Sequence, residues 1–89
     1  MDSLLADWRK QIDKIDEELI NVLAKRINIV REIGKYKKEN GIPPLDEKRW
    51  QEVLKSKLSK ACLLNISEKF IKKLYEVIHD HSLEIENKN

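Results

Sequence analysis

The chain has 89 residues, of which 18 are basic and 16 acidic, so its formal net charge is +2. This is the size of one small domain. Leu, Ile, Val and Phe total 27 residues, enough to exclude intrinsic disorder although 38% of the chain is charged. A single Cys excludes an internal disulfide framework, and no apolar run is long enough to span a membrane.

The charges are spread evenly, with nine basic and eight acidic residues in each of the segments 1–45 and 46–89. Nucleic-acid binding needs a clustered positive face, so no nucleic-acid partner is expected. Two Gly, two Pro and no Thr favour helices over β-structure, and the expected fold class is all-α. The first residues lack the basic and apolar regions of a secretion signal, so we expect a cytoplasmic protein.

A heptad pattern dominates the first half of the chain and predicts one helix from about residue 4 to residue 39. It ends at Asn40-Gly41, a helix-stop signal. Such a helix is about 54 Å long, whereas a compact domain of this size has a radius of gyration of about 12 Å. Another chain must therefore cover its apolar seam, either in a plain coiled coil or in an intertwined helical homodimer. The seam consists of Leu5, Trp8, Ile12, Ile15, Leu19, Val22, Ile29, Ile33 and Tyr36.

Two shorter helices are expected after the connector that contains Pro43 and Pro44. Helix two is predicted from about residue 46 to residue 61, with Asp46 as its N-cap. Helix three is predicted from about residue 67 to residue 86, with Ser67 as its N-cap. The inward face of helix two is expected to hold Trp50, Val53, Leu54, Leu58 and Ala61, and that of helix three Phe70, Ile71, Leu74, Val77, Ile78, His81 and Ile85.

Arg26 interrupts the apolar seam, and a buried guanidinium is costly unless it is paired. It is either a structural device with an intrachain ion pair or the lining of a cavity for an anion. The chain uses 14 Lys but only four Arg, and Arg is the residue suited to bidentate binding of carboxylates, which favours the second interpretation. Lys37 shares a helix face with Arg26, whereas Arg9 is about 25 Å away along the helix and could reach the same pocket only from a second chain.

Four other residues give weaker signals. Gly34 inside helix one indicates either close helix packing or room for a ligand. Ser82 and Glu86 share a face of helix three, at the edge of its apolar stripe. Cys62 is expected to be a small buried residue rather than a nucleophile.

Taken in order, these residues resemble the all-helical chorismate mutases over nearly the whole chain. The resemblance is carried by Arg9-x-x-Ile12-Asp13-x-x-Asp16, Leu19 to Leu23, Arg26, Ile33-Gly34-x-Tyr36-Lys37, Asp46-x-x-Arg49 and Ser82-x-x-x-Glu86. It implies three helices per protomer in an intertwined homodimer with two active sites. It also implies an isomerase that rearranges chorismate to prephenate for phenylalanine and tyrosine synthesis, without cofactor or metal.

The resemblance also implies roles for the site residues. Arg9 of the partner chain and Arg26 would bind the substrate carboxylates, and Lys37 would hold a carboxylate and the ether oxygen. Arg49 and the backbone near Asp46 would line the ring and hydroxyl side. Ser82 would help to bind the ring carboxylate, and Glu86 would contribute to catalysis.

Two positions depart from the family pattern. Trp50 stands where the family commonly has an acid that contacts the substrate hydroxyl, so Glu47 or a water would have to replace that contact. Glu86 stands where a Gln is common, and a carboxyl group donates a hydrogen bond to the ether oxygen only when protonated. Either Glu86 is kept protonated, or activity rises as pH falls.

Two alternatives remain beside this interpretation. An isochorismate pyruvate lyase would use the same fold and cationic pocket on a substrate whose hydroxyl lies elsewhere. A non-catalytic dimerisation or regulatory module could associate with a shikimate-pathway enzyme, although a simple helical zipper needs no Arg in its seam.

Overall fold

The computed structural model describes residues 3–88, and these form three α-helices in the order expected from the sequence. They are α1 (Ser3–Glu39), α2 (Glu47–Leu63) and α3 (Glu68–Lys88). The chain is elongated, 60 Å along its longest axis and 25 and 15 Å across. The all-α prediction of one very long helix followed by two shorter ones is confirmed. None of the helices within residues 3–88 combines the length and apolar character needed to cross a membrane.

The connector between α1 and α2 has the backbone that its sequence predicts. Gly41 takes a left-handed conformation with φ +65°, and the amide of Ile42 donates to the carbonyl of Lys37 at 2.8 Å. This pairing closes the end of α1 as a Schellman motif. Asp46 then caps α2, because its Oδ1 accepts from the amide of Arg49 at 3.0 Å.

Helix α2 continues two residues beyond the predicted end at Ala61. Asn65, with φ 57°, supplies the left-handed residue that closes it, and the amide of Ile66 donates to the carbonyl of Ala61 at 2.9 Å. Cys62 is therefore helical, and it is exposed rather than buried as expected. The predicted cap of α3 is present, with Ser67 Oγ accepting from the amide of Phe70 at 3.2 Å.

Helix α3 lies between the other two and packs against both α1 and α2. Its packed face differs from the predicted one, because Phe70 and Val77 are 58% and 66% exposed and His81 is exposed too. Ile71, Ile78 and Ile85 are half-buried as expected, and Ser82 is buried. The face is rotated because α3 must meet α2 on one side and only the second half of α1 on the other.

The first half of α1 packs on no other helix within residues 3–88. Every residue from 3 to 22 is exposed, including seam residues such as Trp8, Ile12 and Leu19, each more than half exposed. In the second half, Val30 and Gly34 are buried. Burial of Gly34 beside α3 supports close helix packing at this position.

Candidate active site

A cavity of about 290 Å³ lies where the second half of α1, the start of α2 and the end of α3 meet. That volume is near the lower end of the range usual for small-molecule sites, roughly 300–1,000 Å³. Seven of the eight residues named from the sequence line it: Arg26, Lys37, Asp46, Arg49, Trp50, Ser82 and Glu86. About three turns of α1, from Arg26 to Lys37, thus face the first residues of α2 and the last residues of α3.

Arg26 enters the cavity from α1 and is held by α3. Its Nη1 donates to Ser82 Oγ at 2.8 Å, and Ser82 Oγ in turn donates to the carbonyl of Ile78 at 2.8 Å. No carboxylate of residues 3–88 pairs with Arg26, so the intrachain ion pair considered from the sequence is absent. A guanidinium has five N–H donors, and the ones that Ser82 does not use remain for an anion. The buried Ser82 hydroxyl therefore orients the cation.

Lys37 joins three parts of the fold at the other end of the cavity. Its Nζ donates to the carbonyl of Pro44 at 2.6 Å and lies 2.8 Å from Oε1 of Glu86, so it links α1 to the connector and to α3. Both side chains are largely buried, with 19% of Lys37 and 9% of Glu86 exposed. Oε1 receives no aligned hydrogen bond from residues 3–88, so the contact with Lys37 is electrostatic. An ammonium group has three donors, and Pro44 accepts from one of them, so donors remain for a ligand.

Arg49 brings a third cation to the cavity from the first turn of α2. Its amide is fixed by the Asp46 cap, while its guanidinium pairs with no side chain of residues 3–88. The cap therefore sets the first residue of α2 and, through it, the position of the Arg49 side chain. An unpaired guanidinium at the rim of a cavity is suited to a carboxylate ligand.

Trp50 and His79 form the wall between α2 and α3. Their rings stack with centroids 4.0 Å apart and planes inclined by 12°, and both residues line the cavity. His79 and Tyr75 were not anticipated as cavity residues from the sequence. Tyr75 and His79 are four residues apart, as are Ser82 and Glu86, and residues three or four apart lie on the same face of a helix. This spacing could have placed all four residues in the wall of the cavity.

Arg9 is the eighth residue named from the sequence, and it is not in the cavity. It is exposed on the first half of α1, nearly five helical turns before Arg26. A helix is too stiff to fold back over that distance, so Arg9 cannot reach the cavity of its own chain.

Comparison with known proteins identifies the family. The sequence pattern of the family described as chorismate mutase type II matches residues 8–87. The chain belongs to this family. Membership makes it an enzyme of the isomerase class with chorismate mutase activity, and it accounts for the three-helix architecture.

Relatives with curated names agree. A chorismate mutase of Methanocaldococcus jannaschii is 28% identical over 79 residues, which cover 88% of this chain and 79% of that protein. A T-protein of Enterobacter agglomerans is 32% identical over 83 residues, 93% of this chain but 22% of that protein. A T-protein of Haemophilus influenzae is 46% identical over 39 residues, 44% of this chain and 10% of that protein. The chain therefore corresponds to most of the first relative and to a minor part of the T-proteins.

Proposed function

We propose that the cavity between α1, α2 and α3 is the active site in which this chorismate mutase converts chorismate to prephenate. The proposal rests on the observation that three cations, Arg26, Lys37 and Arg49, line one small cavity. Among residues 3–88, only Lys37 of the three is paired with a carboxylate, that of Glu86. Chorismate is a dianion, so a pocket with an excess of cations matches its charge.

The cations act first by selecting a conformation. The reactive conformer of chorismate folds its enolpyruvyl arm over the ring, whereas the free molecule is flexible. Arg26 and Lys37 are held at opposite ends of the cavity, so binding one carboxylate at each fixes the two ends of the substrate relative to one another. Fixing reacting atoms in a near-attack geometry lowers the entropic part of the barrier.

Lys37 acts on the bond that breaks. In the rearrangement the ether C–O bond breaks while a C–C bond forms between the arm and the ring, and negative charge develops on the ether oxygen. A donor of Lys37 that Pro44 does not use stabilises that charge, because the ammonium is already positioned by Pro44 and Glu86. The ion pair with Lys37 uses an ionised Glu86, so Glu86 adds a second donor to the same oxygen only when it is protonated.

The cavity of one chain lacks Arg9, and we propose that a second copy of the chain supplies it. The exposed seam of α1 needs a cover, and the heptad spacing of that seam is suited to the same helix of another copy. An antiparallel arrangement brings the partner's first half of α1, with its Arg9, alongside the segment from Arg26 to Lys37. The result is an intertwined homodimer with two active sites that share residues across the interface.

In the cell, this activity would feed the synthesis of phenylalanine and tyrosine in the cytoplasm, alone or with a shikimate-pathway enzyme. The step is a rearrangement within one molecule, and the proposed mechanism uses only side chains of the chain itself. No metal or cofactor takes part in it.

Product analysis distinguishes this proposal from its two alternatives. Purified protein is incubated separately with chorismate and with isochorismate, and Arg26→Ala prepared in the same way controls for contaminating enzymes. We expect prephenate from chorismate with the natural chain and almost none with Arg26→Ala. Release of pyruvate from isochorismate instead would identify a lyase, and no product from either substrate would identify a non-catalytic module.

A further inference from the structure

We propose that His79, held in place by its stack on Trp50, binds the ring hydroxyl of the substrate. The inference rests on the proposed function, because it concerns how the same cavity recognises chorismate. It assigns a binding role to a residue of α3 and a positioning role to Trp50.

The stack fixes the plane of the imidazole ring. Trp50 comes from the second turn of α2 and His79 from the middle of α3, and both are partly buried. With 4.0 Å between centroids and 12° between planes, one face of the imidazole is covered by the indole. The ring nitrogens lie on the edge of the imidazole, which the stack leaves uncovered, and His79 lines the cavity.

The hydrogen-bonding groups of His79 are unused within residues 3–88. Neither ring nitrogen donates to or accepts from another of these residues. A neutral imidazole offers one donor and one acceptor, which matches a hydroxyl group. The carboxylates of the substrate are matched instead by cations such as Arg26 and Lys37, and Arg49 on the hydroxyl side has donors only, so an acceptor for the hydroxyl must come from another group.

The replacement considered from the sequence, Glu47, is occupied elsewhere. Its Oε1 accepts from Nε2 of Gln51 at 3.0 Å on the exposed side of α2, and Glu47 does not line the cavity. Trp50 itself offers only an indole N–H, which can donate but not accept. The residue stacked on Trp50 is therefore the group that can take over the contact with the hydroxyl.

The test measures how strongly the enzyme distinguishes chorismate from an analogue in which the ring hydroxyl is replaced by hydrogen. For the natural chain we expect the analogue to have a kcat/KM about 5- to 10-fold lower, the range expected for one lost hydrogen bond. In His79→Phe, which keeps an aromatic ring against Trp50, we expect equal values for the two substrates. His79→Leu removes both ring nitrogens together with the stack on Trp50, and it should also give equal kcat/KM values for the two substrates.

Three further variants sharpen the test. His79→Gln restores a donor and an acceptor, so it should keep part of the discrimination. Trp50→Leu should lose the discrimination between the two substrates. Trp50→Phe should retain it, because an aromatic ring at this position keeps the stack on His79. Tyr75→Phe removes a different hydroxyl from the same wall, one helical turn away, and should discriminate as the natural chain does.

The inference fails in a way that differs from failure of the proposed function. If the natural chain does not convert chorismate, both are overturned. If it does, but His79→Phe and His79→Leu discriminate as strongly as the natural chain, only the role of His79 is overturned. Loss of discrimination in Tyr75→Phe, with discrimination kept in the His79 variants, would transfer the hydroxyl contact to Tyr75.

Discussion

The two halves of α1 have the same heptad pattern but different surroundings. From Arg26 to Lys37 the helix packs on α3, buries Val30 and Gly34, and lines the cavity. From residue 3 to residue 22 every side chain is exposed, although the apolar spacing is as regular. In the second half, the seam residues Ile29, Ile33 and Tyr36 stay exposed as well, so α3 packs on the face beside the seam and not on the seam itself. The comparison shows that one helix presents two apolar faces: α3 covers one of them in the second half, and we propose that another copy covers the seam along both halves.

The largest effect is expected from placing a charge in the uncovered half. Ile12→Asp should raise the dissociation constant of the homodimer about 10²- to 10⁴-fold, because a buried Ile contributes about 1.5–3 kcal/mol and each dimer contains two copies. Analytical ultracentrifugation over a concentration series measures this change. Asn21→Asp adds the same carboxylate outside the seam and should leave the association unchanged. Equal association of all three proteins would mean that the seam is not an interface.

A substitution in the second half of α1 should lower the catalytic rate and leave dimerisation unchanged. Lys37→Ala removes the donor to the ether oxygen, so kcat should fall about 10²- to 10³-fold while the oligomeric state is kept. Steady-state kinetics with chorismate checks this. Lys35→Ala is the matched control, because the Lys35 side chain is 59% exposed and, among residues 3–88, pairs only with Glu32, at 3.4 Å. A loss of similar size in both variants would contradict a specific role for Lys37.

Mixing two inactive variants tests whether the two halves act together across the interface. Arg9→Ala and Arg26→Ala should each be nearly inactive as homodimers. After they are unfolded together at equal concentration and refolded, half of the dimers are mixed and each has one intact site, so about a quarter of the natural activity should return. Each variant refolded alone is the control. If the mixture stays as inactive as its components, Arg9 does not act in the partner's site.

The smallest effect concerns Glu86, at the end of the packed region. Since a carboxyl group donates only when protonated, whereas an amide donates at any pH, Glu86→Gln should have a flatter profile of kcat/KM against pH than the natural chain and a higher rate at neutral pH. Glu84→Gln changes an exposed carboxylate of the same helix and should keep the natural profile. A Glu86→Gln profile identical to that of the natural chain would exclude Glu86 from the chemistry.

Local signals in the sequence were sufficient for the helices and their ends. Gly41 stops α1, Asp46 caps α2 and Ser67 caps α3 as predicted, since each depends on one residue and its immediate neighbours. The end of α2 was placed two residues early, because Asn65 adopts the left-handed conformation less readily than Gly and gives a weaker signal. Seven of the eight predicted site residues line one cavity, because their helical spacing brings them to facing surfaces.

The packing of the helices against one another could not be predicted from local sequence signals. The packed face of α3 is rotated from the predicted one, so Phe70 and Val77 are exposed while Tyr75 and His79 line the cavity. The amphipathic pattern gives a broad apolar stripe, and the contacts with α1 and α2 select which part of the stripe is used.

The all-α class, the long first helix, the helix caps and the set of cationic residues follow from the sequence alone, because they depend on short-range spacing and residue type. The contacts that position the site come from the fold: Ser82 orients Arg26, Glu86 and Pro44 hold Lys37, and His79 stacks on Trp50. Each of these contacts joins residues of different elements, and their distances are set by how the helices cross.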